Sequence, residues 1–374
     1  MRIISRGIRG LSGAASMIQF LLFIARAFTY RTSQLWGISL LASACGVHTP
    51  DSGDVEPLRT EHVILVVIDG PRYSELWADS AELAPNLSGK LMQEGVFASD
   101  FYNDGYTYTN AGHAALTTGV NQAIDNYGNE LPANPSIFQY YLKASGKPAT
   151  AAWVVASKDK LDILGDTRHP EWQGTYQPSL NCGVNGPNTG YRMDSLTLME
   201  AKRILATHRP SLMLLNFMEP DGYAHAGNWA NYVRGIARND RYIKQLWDFL
   251  KKDPFYKDKT TLLVTSDHGR HLDGVAEGWP EHGDHCAGCE HIGLLAIGPD
   301  FKKGRKLKSR YTLVDIAPTV AYLLQFRMDS VVFEPVPVAA VAGIAADTVA
   351  VGVQQKTLLK GATRKGNVIS ELFR

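Results

Sequence analysis

The stretch HVILVVIDG, residues 62–70, decides how this chain folds. An unbroken apolar run of strand length is followed directly by Asp-Gly, a pair that ends strands. A strand without polar alternation is expected when helices cover both faces of a parallel sheet. Two further runs have the same form, SLMLLNFMEPD at 211–221 and TTLLVTSDHG at 260–269, and a weaker run, TAAWVVAS, covers 150–157.

Helical segments lie between these predicted strands. In 194–206 and 231–252 the apolar residues recur every three or four positions, the spacing of an amphipathic helix. The alternation predicts an α/β fold, an open and mostly parallel sheet flanked by helices on both faces. At 374 residues and 45% hydrophobic, the chain can bury such a core. Its net charge of +1 offers no bulk basic field, so we expect no nucleic-acid partner.

The two ends of the chain differ from this body. Three arginines and no acid in residues 1–16, then short apolar runs, predict a signal segment over 1–45. Its end, LLASACG, resembles a bacterial lipoprotein signal cut before Cys45, which would carry a lipid anchor; an ordinary signal peptide is the alternative. Residues 46–60, rich in Pro, Gly and Asp, predict a tether. The folded domain is expected over 61–328, and an atypical segment, 329–374, would follow with its end packed on the domain.

Acidic and imidazole side chains stand where the apolar runs end. Asp69, Asp221 and Asp267 each follow such a run, and ligands bind at the carboxyl edge of open α/β sheets. The histidines expected beside them are His225, His268 and His291. Three aspartates and three histidines supply enough ligands for two divalent metal ions. Imidazole nitrogen together with carboxylate oxygen, and no thiolate, favours zinc over calcium, and manganese and iron are the alternatives.

A hydroxyl is expected at the same edge. In GYTYTNAGHAALTTG, residues 105–119, Thr109 precedes a predicted helix, where free backbone N–H groups and the positive helix end face it. A Thr hydroxyl is a poor nucleophile at neutral pH unless a metal or a base activates it. The alternative role for Thr109 is a helix N-cap.

Together these residues resemble the alkaline phosphatase superfamily over residues 62–325. The shared features are a strand ending in Asp, a nucleophile before a helix, D-x-x-x-H, a D-H pair and a late His. Carried over by motif, one zinc would be held by Asp69, Thr109, Asp267 and His268, and the other by Asp221, His225 and His291. The resemblance implies an exported enzyme that hydrolyses small phosphate esters through a phospho-Thr109 intermediate.

The finer resemblance is to bacterial alkaline phosphatases that use a threonine. The C/S-x-P-S-R motif of sulfatases is absent, so sulfate esters are not expected as the main substrate. The resemblance implies phosphate contacts from Asn129, Lys158 and Lys160, although Lys160 stands where these enzymes have Arg. A phosphate monoester is a dianion and needs more cationic donors than a diester, so Lys158 points to monoesters. A phosphodiesterase or nucleotide pyrophosphatase, and a non-catalytic lipoprotein that binds phosphorylated ligands, are the alternatives.

Two other stretches have no place in this scheme. In HGDHCAGCEH, residues 282–291, the two cysteines either belong to a third zinc site or form a disulfide, with each other or with Cys182. Residues 166–191 have no periodicity and predict an irregular insertion near the mouth of the pocket.

Overall fold

A mixed sheet forms the centre of the computed structural model, which describes residues 57–78, 80–333, 361–363 and 366–374. In the described residues its nine strands are β1 His62–Ile68, β2 Val96–Tyr102, β3 Ala152–Ala156, β4 Ser179–Cys182, β5 Leu212–Phe217, β6 Thr260–Ser266, β7 His291–Ile297, β8 Arg305–Lys306 and β9 Tyr311–Thr312. The order is β4-β3-β5-β1-β6-β7-β2-β8, with β9 also paired to β2. Only β7 runs antiparallel to its neighbours, β6 and β2. The predicted open, mostly parallel α/β sheet is therefore confirmed.

Helices cover both faces of the sheet. They are α1 Ser80–Leu83, α2 Met92–Glu94, α3 Thr109–Thr118, α4 Ile137–Ser145, α5 Asp194–His208, α6 Glu219–His225, α7 Trp229–Lys252, α8 Ala287–Glu290 and α9 Ile316–Leu323. Short turns of other helix types lie at Ser74–Ala78, Asn86–Leu91, Ala149–Ala151, Asp159–Gly165, Leu313–Asp315 and Ser370–Leu372. The two predicted long helices are present as α5 and α7.

The sequence of β1 is apolar throughout because both of its faces are buried. Val63, Leu65 and Val67 pack in the core that contains residues of α3, α4 and α9. The alternate residues of β1 pack in the opposite core, with residues of α5 and α7. Each fully buried Val, Leu or Ile contributes about 1.5–3 kcal/mol of transfer free energy, so a polar residue at any of these positions would be costly.

Strand β7 begins at His291, and its apolar pattern does not reveal its antiparallel direction. Two details differ from the sequence-based predictions. Residues 166–191 are not wholly irregular, because β4 lies among them and extends the sheet beside β3. Asp221 does not follow β5 directly; it is the third residue of α6.

The described ends of the chain are bonded to the domain. The backbone N–H groups of Arg59 and Thr60 donate to the Asp300 carboxylate, so these last residues of the predicted tether belong to the folded unit. Near the C-terminus, Ile369 and Leu372 are fully buried, and β10 Val331–Phe333 pairs with β11 Gly361–Thr363. The predicted signal, Cys45 and most of the predicted tether lie outside the described residues. In the part of the chain that is described, no helix is both long and apolar enough to cross a membrane.

Candidate functional site

Three adjacent central strands bring the predicted aspartates together. β1 lies between β5 and β6, and its last residue, Ile68, is in register with the last residues of both, Phe217 and Ser266. Asp69 and Asp267 follow directly and are fully buried. The residues after β5 turn into α6, which places buried Asp221 over the same edge.

One group that can hold a metal is formed by Asp69, Asp221 and His268. One ligand atom from each lies within 4.8 Å of the others. His268 Nδ1 is 2.9 Å from the carbonyl oxygen of Gly269, which leaves Nε2 turned towards the carboxylates. This buried Nε2 and the buried Asp267 Oδ2 have no hydrogen-bond partner. A tautomer fixed through one ring nitrogen, with the other nitrogen free beside carboxylates, is the arrangement of a metal-ligating histidine.

A second group contains Asp221, His225 and His282, again with ligand atoms within 4.8 Å of one another. His282 Nδ1 lies 2.8 Å from the carbonyl oxygen of Thr107, and its Nε2 lies 3.1 Å from His225 Nε2. Burial, followed by the charge of His268, lowers the pKa of His282 to about 4, so its ring is neutral at pH 7. Two imidazoles and a carboxylate that converge on one point suit a zinc ion.

The structure does not bring His291, the late histidine named from sequence, into either group. His291 Nε2 lies 2.8 Å from the carbonyl oxygen of Ser99. Its ring stacks on Tyr73 and Tyr102, with centroid distances of 3.8 and 4.8 Å. Of the three histidines in residues 282–291, His282 is the one that lies beside Asp221. Three histidines occur within residues 282–291, and nothing in the sequence shows which of them faces the aspartates.

Thr109 is the first residue of α3 and is buried. Tyr108 occupies the N-cap position without a side-chain cap, so the Thr109 hydroxyl does not close the helix end. Gly112 allows α3 to lie against the strand edge: a Cβ at this position would be 2.5 Å from the backbone oxygen of Asp267. The helix therefore presents its N-terminus and Thr109 to the carboxylates.

Lys158 lies at the centre of the site and is almost fully buried. Its Nζ donates to Asp69 Oδ1 at 3.0 Å, to Asp221 Oδ2 at 2.6 Å and to Thr109 Oγ1 at 3.0 Å. Burial alone would lower the pKa of Lys158, but the facing carboxylates of Asp221 and Asp69 hold it above its usual range. The pKa values of both aspartates are in turn lowered, against the effect of burial, chiefly by Lys158. Ionised carboxylates therefore surround the Lys158 ammonium.

Lys160 and the loop at 125–130 lie beside the start of α3. Lys160 Nζ donates to Asn126 Oδ1 at 2.9 Å, and the same oxygen accepts from the backbone N–H of Asn110 at the start of α3. Burial, then the nearby charge of Lys158, lowers the pKa of Lys160 to about 8. Asn129 is exposed, and its backbone N–H approaches the Asp125 carboxylate at 3.4 Å. The asparagine next to the start of α3 is thus Asn126 instead of the expected Asn129.

Arg270 belongs to the site and was not predicted from the sequence. Its side chain is fully buried, and its guanidinium donates to Asp221 Oδ1 and to the backbone oxygens of Gly70, Trp279 and Pro280. It therefore connects Asp221 to the loop that carries His282. Its position directly after the D-H-G sequence is the only signal that the sequence offers.

The three described cysteines, Cys182, Cys286 and Cys289, are free thiols. The expected disulfide, within the pair or to Cys182, is therefore absent from the described residues. Cys182 ends β4, and its Sγ lies 3.8 Å from the carbonyl oxygen of Val154.

Comparisons with known proteins agree with this fold. The model of the family described as Sulfatase matches residues 61–326. A phosphopentomutase of Acetivibrio thermocellus is 31% identical over 102 residues, which are 27% of this chain and 23% of that protein. Murine ectonucleotide pyrophosphatase/phosphodiesterase 5 has a similar fold, with a TM-score of 0.51 and 16% identity over 71% of this chain and 95% of that one. A phosphonate monoester hydrolase from Silicibacter pomeroyi gives a TM-score of 0.53 at 14% identity, over 72% of this chain and 74% of that one. The match to the phosphopentomutase thus spans less than a quarter of that relative.

Proposed function

The chain belongs to the sulfatase family and has the alkaline phosphatase-like fold, and from this premise we propose that it is a metal-dependent hydrolase of phosphate monoesters. The observation that carries the proposal is the buried ammonium of Lys158, 3.0 Å from the hydroxyl of Thr109. A monoester dianion has three non-bridging oxygens that need donors, and a cation beside the attacking atom meets that need. Lys160 supplies a second positive charge beside the start of α3.

Two divalent metals, zinc by the choice of donors, fit the residues present. Asp69, Asp267 and His268, with Thr109, would hold one, and Asp221, His225 and His282 the other. The unpartnered His268 Nε2 and Asp267 Oδ2 support this assignment. When bound, the metals would act as Lewis acids that lower the pKa of the coordinated hydroxyl and water and offset the charge of the leaving oxygen.

The chain's own residues account for the remaining steps. The Thr109 hydroxyl releases its proton to solvent and Oγ1 attacks phosphorus. A phosphorus–oxygen bond to Thr109 forms, and the bond to the leaving alkoxide breaks as the alkoxide takes up a proton from water. Lys158 and the backbone N–H groups at the start of α3 hold the non-bridging oxygens. Arg270 fixes Asp221 and the His282 loop. Attack of water on phospho-Thr109 then releases phosphate and restores the hydroxyl.

The second candidate is a phosphodiesterase on the same scaffold. The exposed ring of Tyr191 lies beside Lys158, with Nζ 5.8 Å from its centroid, and an aromatic surface at this place suits the organic group of a diester. Murine ectonucleotide pyrophosphatase/phosphodiesterase 5, by its name a phosphodiesterase, shares the fold. A sulfatase is disfavoured because Thr109 stands in a sequence without C/S-x-P-S-R.

Steady-state hydrolysis of three p-nitrophenyl esters by the zinc-loaded chain from residue 46 tests the proposal. We expect the phosphate monoester to exceed the bis-p-nitrophenyl diester and the sulfate in kcat/KM. A preference for the diester or for the sulfate would overturn it.

Thr109→Ala should lose turnover while metal content and thermal unfolding stay unchanged, and Thr109→Ser, which keeps a hydroxyl, should retain part of the activity. Full activity in Thr109→Ala would refute the covalent route.

We also propose export with a lipid anchor at Cys45, based on residues 1–45. Expression of the full chain in a bacterium, followed by fractionation, should place the protein in the membrane fraction. Cys45→Ala should prevent lipid attachment, which mass measurement of the N-terminal peptide detects. An unmodified N-terminus in the wild-type chain would contradict the anchor.

A further inference from the structure

A second cluster of metal-ligating side chains lies in the segment that carries His282, outside the two groups described above. It consists of His271, Asp284, Cys286 and Cys289, and one ligand atom from each lies within 4.8 Å of the others. We propose that these four residues bind a structural zinc ion. The inference does not depend on the reaction that the chain catalyses.

The donor set is the first argument. Two thiolates, one imidazole and one carboxylate are four ligands of the types that zinc takes in closed tetrahedral sites. A tetrahedron with metal–ligand bonds of about 2.3 Å has edges of about 3.8 Å, so a small inward movement of the four atoms would complete the site. A lone C-x-x-C is a weak signal; the folded chain adds His271 and Asp284 from other positions.

The unpartnered state of His271 is the second, independent argument. Its side chain is 4% exposed, and neither ring nitrogen has a hydrogen-bond partner. The nearest carboxylate oxygens, from Asp284 and Glu277, lie 3.4 and 3.6 Å away, without hydrogen-bond geometry. A buried polar group left without a partner costs about 1–3 kcal/mol. A metal bond to one of these nitrogens would remove that cost.

The backbone around the cluster is already held in place. Gly269 N–H donates to Cys289 O at 2.8 Å, and Arg270 N–H donates to Gly288 O at 3.0 Å. The two segments approach so closely that a Cβ on Gly288 would be 2.4 Å from the backbone oxygen of Arg270. His271 therefore stays opposite the cysteines, and the backbone N–H of Cys286 donates to Asp284 Oδ1 at 3.0 Å.

The position of the cluster indicates what the ion would do. The loop 272–283 contains no buried residue, and its residues 272–277 are exposed, so packing holds it only weakly. His271 and Asp284 flank this loop, and His282 lies within it, two residues before Asp284. A zinc ion that binds both ends would close the loop and restrict the position of His282.

Cobalt substitution of the full chain tests this proposal. Thiolate-bound Co²⁺ gives an intense near-ultraviolet charge-transfer band, and the two groups at the sheet edge contain no sulfur. We expect the cobalt-loaded wild type to show the band. The zinc-loaded wild type should bind one more metal ion per chain than the double variant Cys286→Ser/Cys289→Ser. Cys182→Ser is the matched control, since Cys182 lies on β4 away from the cluster, and it should keep both the band and the metal content.

Three results would overturn the proposal. The first is a wild-type cobalt spectrum without the band, and the second is equal metal content in wild type and double variant. The third is a mass showing that Cys286 and Cys289 form a disulfide in the metal-loaded protein. Thr109→Ala separates this inference from the proposed function, because it should lose turnover and keep the band. His271→Asn, which leaves both cysteines in place, should weaken zinc retention against a chelator at least tenfold.

Discussion

Lys158 Nζ lies 3.0 Å from Thr109 Oγ1 and is bonded at the same time to Asp69 and Asp221, so one buried ammonium connects the hydroxyl to two of the expected metal ligands. A lysine in this position has two effects. It neutralises the carboxylates when no metal is bound, and it provides a cation for the phosphoryl oxygens when substrate is bound. The two effects can be separated by measurement.

Replacing this lysine should affect catalysis and stability under different conditions. Lys158→Met removes a donor to the phosphoryl group, so kcat/KM for p-nitrophenyl phosphate should fall by about 100-fold or more. In chelator-treated protein, the loss of a buried partner should reduce the free energy of unfolding by about 3–5 kcal/mol. Metal-loaded protein should lose less, because the ions replace the missing charge. Lys90 is exposed, so Lys90→Met should change neither quantity. Equal destabilisation of Lys158→Met with and without metal would contradict this account.

Lys160 should give the reaction a pH dependence of its own. Because its pKa is lowered to about 8, it is cationic below pH 8 and loses its charge as the pH rises through 8. The KM for a monoester dianion should therefore increase between pH 7 and pH 9. Lys160→Arg keeps its charge over this range, so its KM should stay constant. KM profiles of the same shape in both proteins would show that Lys160 does not contact the phosphate.

The close approach of α3 to the strand edge should make Gly112 sensitive to a single methyl group. In Gly112→Ala the new Cβ would meet the backbone of Asp267, and the helix with Thr109 would have to shift. We expect a stability loss of about 1–3 kcal/mol and about a 100-fold loss of kcat, since a shift of about 1 Å is enough for that. Gly89→Ala is the control, because a Cβ there meets nothing within 4 Å. Unchanged kcat in Gly112→Ala would show that the helix can relax without moving Thr109.

His62 should make the fold less stable in mild acid. It is 3% exposed, neither ring nitrogen has a hydrogen-bond partner, and burial lowers its pKa from 6.5 to about 4. The unfolded chain therefore takes up a proton on His62 below pH 6.5, whereas the folded chain does so only near pH 4. By linkage this group alone reduces the free energy of unfolding by about 2 kcal/mol between pH 7.5 and pH 5.

Urea unfolding at the two pH values measures this effect. His62→Gln does not titrate and should lose about 2 kcal/mol less than wild type between pH 7.5 and pH 5. The exposed His208→Gln should lose as much as wild type. An identical pH dependence in wild type and His62→Gln would mean that His62 is protonated in the folded chain.

The sequence was sufficient for the features that depend on strand ends. An apolar run such as residues 63–68 specifies a strand buried on both faces, and parallel strands bring their carboxyl ends to one edge, so the meeting of Asp69 with Asp267 follows directly. Thr109 could be placed at the same edge because its segment reads as the start of a helix.

The parts that could not be predicted lie in loops and at the ends of strands, where periodicity does not orient the side chains. His282 and His291 are separated by only nine positions. His291 is the first residue of β7 and stacks on Tyr73, and the antiparallel direction of β7 is not encoded in its apolar pattern. The sequence likewise does not show whether Asn126 or Asn129 lies next to the start of α3. His271 joins Cys286 and Cys289 only because Gly269 and Gly288 allow their two segments to touch.

The strand order has a consequence for how the protein is made. β1 pairs with β5 and β6, so Val63 is in register with Leu212, 149 residues later, and His62 with Thr260, 198 residues later. Such distant pairings make contact order high and folding slow, and β1 leaves the ribosome long before either partner. Until residue 217 has been synthesised, neither edge of β1 has its native partner, and the edge that pairs with β6 stays unpaired until residue 266. A holdase chaperone that covers this segment during synthesis would therefore raise the yield of folded protein, and one supplied only after synthesis would help less.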